Sequence, residues 1–219
     1  MKRAHYFLTL ILSFICIFGA SAQDHSIRFQ NGTLTVSPLQ DNAVRIRYIE
    51  GEAAELPEWL YVENDDKVSC KKSSKGDVTT LRLKGLTMTA DNGSGRIEVA
   101  DSRGVKVFSA LAQELKDGTI QGEPTKQAKL VIDSPADEYL YGLGQFQDGY
   151  LNVRGLTRRL TQVNTQISVP FMLSSKGYGL LWNNYGLTDF NPAESSVKME
   201  RAEAKGEEVT LNVTSTEGN

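Results

Sequence analysis

The chain has 219 residues, with 24 Lys+Arg against 27 Asp+Glu and 40% hydrophobic residues. That profile excludes a disordered, collagen-like or multi-span membrane chain, and a net charge of −3 lacks the basic surplus of a dedicated nucleic-acid binder. The length suits one large all-β domain but is too short for a (β/α)8 barrel, typically about 250 residues, plus anything else.

The first element in chain order is an export signal. Met1-Lys2-Arg3-Ala4-His5 is a basic start, an apolar run follows over residues 6–19, and Ala20-Ser21-Ala22 supplies an A-x-A cleavage site. This arrangement predicts a secretory signal peptide over residues 1–22, and the run is shorter than the ~20 apolar residues of a membrane span. The expected location is the periplasm, cell surface or exterior, with no membrane partner. Cleavage after Ala22 removes Lys2 and Arg3 and no acid, so the charge moves from −3 to −5. It also removes His5 and Cys16, leaving His25 and Cys70. A single cysteine closes no internal disulfide, so the fold must stand on its core. Cys70, in Val68-Ser69-Cys70-Lys71, reads as a small strand residue.

From residue 23 the chain reads as strands. Val44, Ile46 and Tyr48 alternate with Arg45 and Arg47, and Leu86, Met88 and Ala90 alternate with Thr87, Thr89 and Asp91. Ile167, Val169, Phe171 and Leu173 share one face, as do Val209, Leu211 and Val213. Period-2 spacing places alternate side chains on one side of a pleated strand. Turns are expected at Asn31-Gly32, Asp41-Asn42, Asn92-Gly93, Asp101-Ser102-Arg103-Gly104 and Asp117-Gly118. Only Ser134-Pro135-Ala136-Asp137-Glu138 hints at a helical turn. The predicted fold is all-β, an antiparallel β-sandwich of one domain over residues 23–219. The acidic stretch over residues 50–57 reads as a solvated loop.

Constellations that carry chemistry are sparse. His25 lies at the start of the mature chain and offers no credible base for a triad. There is no Gly-x-Ser-x-Gly elbow and no His/Cys cluster for zinc, so no metal or cofactor is expected. Gly142-Leu143-Gly144 begins like a phosphate loop, but Gln147 stands where a glycine is needed and no helical pattern follows. The acid pairs Asp65-Asp66, Asp137-Glu138 and Glu207-Glu208 read as surface charges, since glycosidase carboxylates must face each other across a sugar. Sequons at Asn31, Asn92 and Asn212 coincide in two cases with Asn-Gly turns.

Residues 138–192 stand apart, being rich in Gly, Asn, Gln and aromatics. Amides donate to and accept from sugar hydroxyls, and rings stack on the apolar face of a pyranose. The same composition also suits a long sandwich loop with good turn chemistry.

Tyr141-Gly142-Leu143-Gly144-Gln145 resembles the YGLGE/Q motif of glycoside hydrolase family 31, the α-glucosidase and α-xylosidase family. Val169-Pro170-Phe171-Met172-Leu173, followed by the run Lys176 to Asn184 (KGYGLLWNN), resembles that family's next strand pair, in the same order and at the same separation. Gln145 and Asn164-Thr165-Gln166 look closest to α-xylosidase-like members from Bacteroidetes. The resemblance implies a galactose-mutarotase-like β-sandwich that packs against a (β/α)8 barrel carrying two catalytic aspartates. The family's W-x-D-M-N/S-E nucleophile motif has no counterpart here, since Trp59 precedes Leu60-Tyr61 and Trp182 precedes Asn183-Asn184. The chain is therefore expected to be a non-catalytic N-terminal piece of an exported retaining α-glycosidase acting on α-xylosides or α-glucosides. Its expected partners are the missing barrel and an α-linked glycoside or oligosaccharide.

The resemblance also implies a loop reaching the sugar pocket. Gln162-Val163-Asn164 resembles the family's Asn-x-Asp, with Asn164 replacing the usual acid, so a charge-assisted contact becomes a neutral one. Gln145, Gln162 and Asn164 are the expected substrate-binding residues. The alternative is that these amides satisfy backbone groups within their own loop. Two rival functions stand beside this reading: a stand-alone secreted carbohydrate-binding module, and an exported structural sandwich such as an adhesin, which has no use for the motif pair.

Overall fold

The alternating runs become fifteen strands in the structure, a computed structural model that describes residues 24–51, 60, 68–193 and 196–201, from residue 191 onward by backbone alone. The expectations for residues 1–22, Trp59, most of the acidic loop, Asp65-Asp66, Glu207-Glu208, Asn212 and the Val209–Val213 alternation lie outside the described residues. No helix occurs among the described residues, and the Ser134–Glu138 segment makes only a single turn, closed by the Glu138 N–H on the Pro135 carbonyl at 2.9 Å.

Strands β1 (His25–Phe29), β2 (Gly32–Gln40) and β3 (Ala43–Ile49) form an antiparallel meander. Strands β4 (Lys71–Lys75), β5 (Val78–Arg82), β6 (Leu86–Asp91), β7 (Arg96–Asp101), β8 (Lys106–Ile120) and β9 (Glu123–Asp133) pair in succession. Beyond β9 the same sheet continues through β15 (Ser196–Arg201), β14 (Thr188–Ala193) and β11 (Arg158–Leu160), giving nine strands in the order β11-β14-β15-β9-β8-β7-β6-β5-β4. A third sheet has the order β10-β12-β13, from Leu140–Gln145, Ile167–Ser174 and Tyr178–Leu181. All pairings are antiparallel, as predicted for a sandwich.

Two cores line one face of the large sheet. The first joins the β1-β2-β3 sheet to β5–β8 through Ile27, Phe29, Leu34, Leu81, Met88 and Ile97. The second joins β10-β12-β13 to β8, β9, β11 and β14 through Ile132, Leu140, Leu143, Leu160, Met172 and Phe190. Phe108 and Leu130 pack against both cores. Each fully buried apolar side chain contributes roughly 1.5–3 kcal/mol, and the alternation of Leu86, Met88 and Ala90 puts all three inside. Cys70 lies one residue before β4 rather than within a strand, and burial pushes its thiol up.

Two expectations are corrected here. Asp117-Gly118 is not a turn: it runs inside β8, where Gly118 pairs with Thr125 and Asp117 forms an ion pair with Lys126. The chain reverses instead at Gln121-Gly122, where both residues take positive φ (52° and 86°). The second correction concerns the acid pair Asp137-Glu138. Asp137 is exposed and bonded to the Lys176 ammonium at 2.6 Å, but Glu138 is 1% exposed and accepts a hydrogen bond from the Ser174 hydroxyl.

Candidate functional site

The site grows out of an irregularity in β10. Gly142, Leu143 and Gly144 take φ values of 100°, 68° and 105° in succession. Only glycine adopts the two outer values without strain, and space forbids a side chain as well. A Cβ on Gly142 would stand 2.5 Å from the Phe171 carbonyl oxygen, and one on Gly144 would collide with that of Ile167. The register breaks there: β10 advances from Gly142 to Gly144 while β12 runs from Met172 to Ser168. Pro170 falls inside this bulge, where its missing N–H leaves no donor unpaired, and its carbonyl accepts from the Trp182 N–H at 2.8 Å. The bulge drives Leu143 fully into the second core and delivers Gln145 opposite Ile167 at the end of the sheet.

The segment after Gln145 is tied back at several points. Asn152 accepts from the N–H groups of Leu140 and Arg154, both at 3.1 Å. Arg154 in turn donates to the Ser134 hydroxyl and, at 3.0 Å, to the Ser134 carbonyl. Arg158, 6% exposed, places its guanidinium 4.3 Å from the Phe146 ring centroid and 2.5 Å from the Asp148 carboxylate. Its neighbour Arg159 holds Asp189 of β14 through two bonds of 2.9 and 3.1 Å, which holds the Arg159 guanidinium's pKa above its ordinary value. The two arginines therefore clamp both ends of the loop between β10 and β11 to the large sheet.

Beyond β11, Val163 and Gln166 exchange backbone bonds of 3.2 Å and leave Asn164-Thr165 as a two-residue tip. Asn164 is exposed on that tip. The Gln162 side-chain oxygen accepts from the Ser168 N–H at 2.9 Å, which leaves its amide nitrogen to donate elsewhere. Gln166 turns inward, donating to the Thr161 carbonyl at 2.9 Å. Gln145 and Gln162 are thus anchored on adjacent β12 residues, Ile167 and Ser168, with Asn164 at the same end of the sheet. The arrangement offers neutral donors and acceptors in the open. Among the described residues, no group of three or more His, Cys, Asp or Glu converges as a metal site.

Sequence reasoning overlooked the arginine clamp and Glu138. The Arg158-Arg159 pair precedes a predicted loop and carries no motif, so nothing marked one of them as buried. Glu138 was hidden by its exposed neighbour. Its buried carboxylate also bears on Tyr178, whose hydroxyl is pushed above the usual tyrosine range by burial first and by Glu138 second.

The all-β antiparallel architecture with its glycine-bulged β10 is the fold of one class of sandwich domain. The family model for the glycosyl hydrolase 31 N-terminal galactose mutarotase-like domain matches residues 33–191, and the chain belongs to that family. An α-xylosidase of Saccharolobus solfataricus is 29% identical over 184 residues, covering 79% of this chain and 25% of the relative. The family 31 α-xylosidase from a soil metagenome, solved with xylose, superposes with a TM-score of 0.73 at 26% identity, covering 84% of this chain and 30% of that one. The Xanthomonas citri family 31 α-xylosidase superposes with a TM-score of 0.70 at 25% identity, covering 78% and 19%. The chain therefore spans about a quarter of the length of these relatives.

Proposed function

We propose that the chain is the non-catalytic N-terminal domain of an exported retaining α-glycosidase acting on α-xylosides or α-glucosides. In that enzyme the sandwich supports the catalytic barrel, and Gln145, Gln162 and Asn164 reach the sugar bound there. The carrying observation is the family match across residues 33–191 joined to the quarter-length overlap with α-xylosidases. The bulge supports the assignment of the site, because it turns Gln145 to the same end as the Gln162–Asn164 loop. Amides at an exposed loop suit neutral hydroxyls better than anionic ligands. Signal-peptide cleavage after Ala22 belongs to the same proposal.

The test is an assay of the 219-residue chain against aryl α-xylosides and α-glucosides. No turnover is expected. Turnover that disappears when an acid of this chain is replaced would overturn the proposal. In a polypeptide extended through a catalytic barrel, Gln145→Ala and Gln162→Ala should raise KM more than they lower kcat, because both groups bind rather than react.

A further inference from the structure

The Phe146 ring is the contact through which β11 reaches the candidate site. After the bulge, β10 keeps only the pairs Gly144 with Ser168 and Gln145 with Ile167, and Gly144 has no side chain to pack. A strand end held so briefly frays, so the direction of Gln145 depends on what fixes the next residue. Phe146 is half-buried against the second core, whereas Gln145 is exposed. Successive side chains along a strand point to opposite sides. Holding the Phe146 ring inward therefore holds Gln145 outward.

Arg158 holds the ring. Its guanidinium carbon stands 4.3 Å from the Phe146 centroid, and its Nη2 donates to Asp148 Oδ2 at 2.5 Å, so one side chain grips the loop at both residues. Arg158 is 6% exposed, and its backbone pairs with Phe190, a fully buried residue of β14 in the nine-stranded sheet. Its Nε is buried without a hydrogen-bond partner, so the cation relies on the ring face for part of its stabilisation.

Arg158 also opens β11, and Gln162 follows two residues after that strand ends. The Gln166 amide ties the intervening stretch by donating to the Thr161 carbonyl at 2.9 Å and the Arg159 carbonyl at 3.4 Å. One short strand thus carries the anchor of Gln145 at its start and leads directly to Gln162.

We propose that Arg158 is a positioning residue of the sugar site: its stack on Phe146 aims Gln145, and β11 sets the spacing between that amide and Gln162. Arg158 acts through Phe146 rather than by touching sugar. The proposal rests on the reading of Gln145 and Gln162 as sugar-binding residues.

The experiment takes Arg158→Met, Phe146→Leu and the double variant. In the 219-residue chain, amide exchange followed by NMR should quicken about tenfold or more at Gln145 and Phe146 in every variant and stay unchanged at Met172. Exchange at Gln145 left as in wild type would overturn the proposal. In the polypeptide extended through a catalytic barrel, each single variant should raise KM about threefold to tenfold, the worth of one neutral hydrogen bond, with kcat within about twofold. The double variant should be no worse than the worse single, because both break one contact. A rise in the double equal to the product of the singles would overturn the proposal. So would a lowered thermal midpoint with unchanged KM in Arg158→Met while Gln145→Ala raises KM, which makes Arg158 a prop of the fold and leaves the sugar site standing. An unchanged KM in both Gln145→Ala and Gln162→Ala would overturn the sugar-site reading and the proposal with it. Should Arg158→Met fail to fold, Phe146→Leu carries the same comparison.

Discussion

The outer face of the nine-stranded sheet and the outer face of the β10-β12-β13 sheet are built by the same alternation and end differently. Along β5, β6 and β7 the outward positions include Thr80, Arg82, Thr87, Thr89 and Glu98, so that face carries hydroxyls and charge. Along β12 the outward positions are Ile167, Val169, Phe171 and Leu173. The inward residues of both sheets are buried apolar groups such as Met88 and Met172. Among the described residues one outer face is polar, and the other exposes a row of apolar side chains. Burial of the inner face alone therefore does not fix the character of the outer one.

The sharpest way to break that comparison is to cut the two sides of one strand. Met172→Ala, on the covered side, should destabilise the chain by about 2–5 kcal/mol, the cost of a buried methionine with its cavity. Phe171→Ala, one residue away on the open side, should cost under about 1 kcal/mol in the same chain. Urea unfolding followed by tryptophan fluorescence measures both, and equal losses would erase the distinction between the faces.

Gly144→Ala tests where the apolar sheet stops. A side chain there meets the Ile167 carbonyl at a left-handed φ, and strain of this kind costs about 1–3 kcal/mol before the collision is counted. The expected readout is a lower thermal midpoint with rapid amide exchange at Gln145 and Ile167.

Much of the fold was legible because period-2 spacing and Asn-Gly or Asp-Asn turns are local signals. Faces were legible too, but the covering of a face was not. Ile167, Val169, Phe171 and Leu173 show perfect apolar alternation, and nothing local says that Met172 and Ser174 are the buried set. Asp117-Gly118 misled for a related reason: a good turn pair was overridden by the long β8–β9 ladder. At the candidate site, the two glycines of the β10 motif were read only as a failed phosphate loop and a family motif, and the bulge they permit comes from the structure. The buried state of Arg158 and Glu138 arises from Phe146, Asp148 and Ser174, partners separated from them by 10 to 36 residues in sequence.

The junction between the two regions comes next in size. Arg158→Met keeps the hydrocarbon stem but removes the ion pair with Asp148 and the cation over Phe146, together about 2 kcal/mol. The loss should concentrate in the loop from Phe146 to Thr157, seen as early proteolytic nicking there.

The smallest effect belongs to the polar sheet. Asp101 is held below the usual carboxylate range by the Arg103 side chain first, then by the N–H groups of Val105 and Arg103. A carboxyl lowered in the native state contributes stability above the unfolded value and loses it as pH falls through the native one. The gap in thermal midpoint between wild type and Asp101→Asn should therefore close between about pH 5 and pH 2. A gap that widens on acidification would contradict the assignment.

Phe108 and Leu130 touch both cores, so neither half of the sandwich can melt without uncovering the other. Shared side chains of this kind fuse two hydrophobic clusters into one cooperative unit. Calorimetry of the chain should accordingly show a single endotherm, and Phe108→Ala should split it into two.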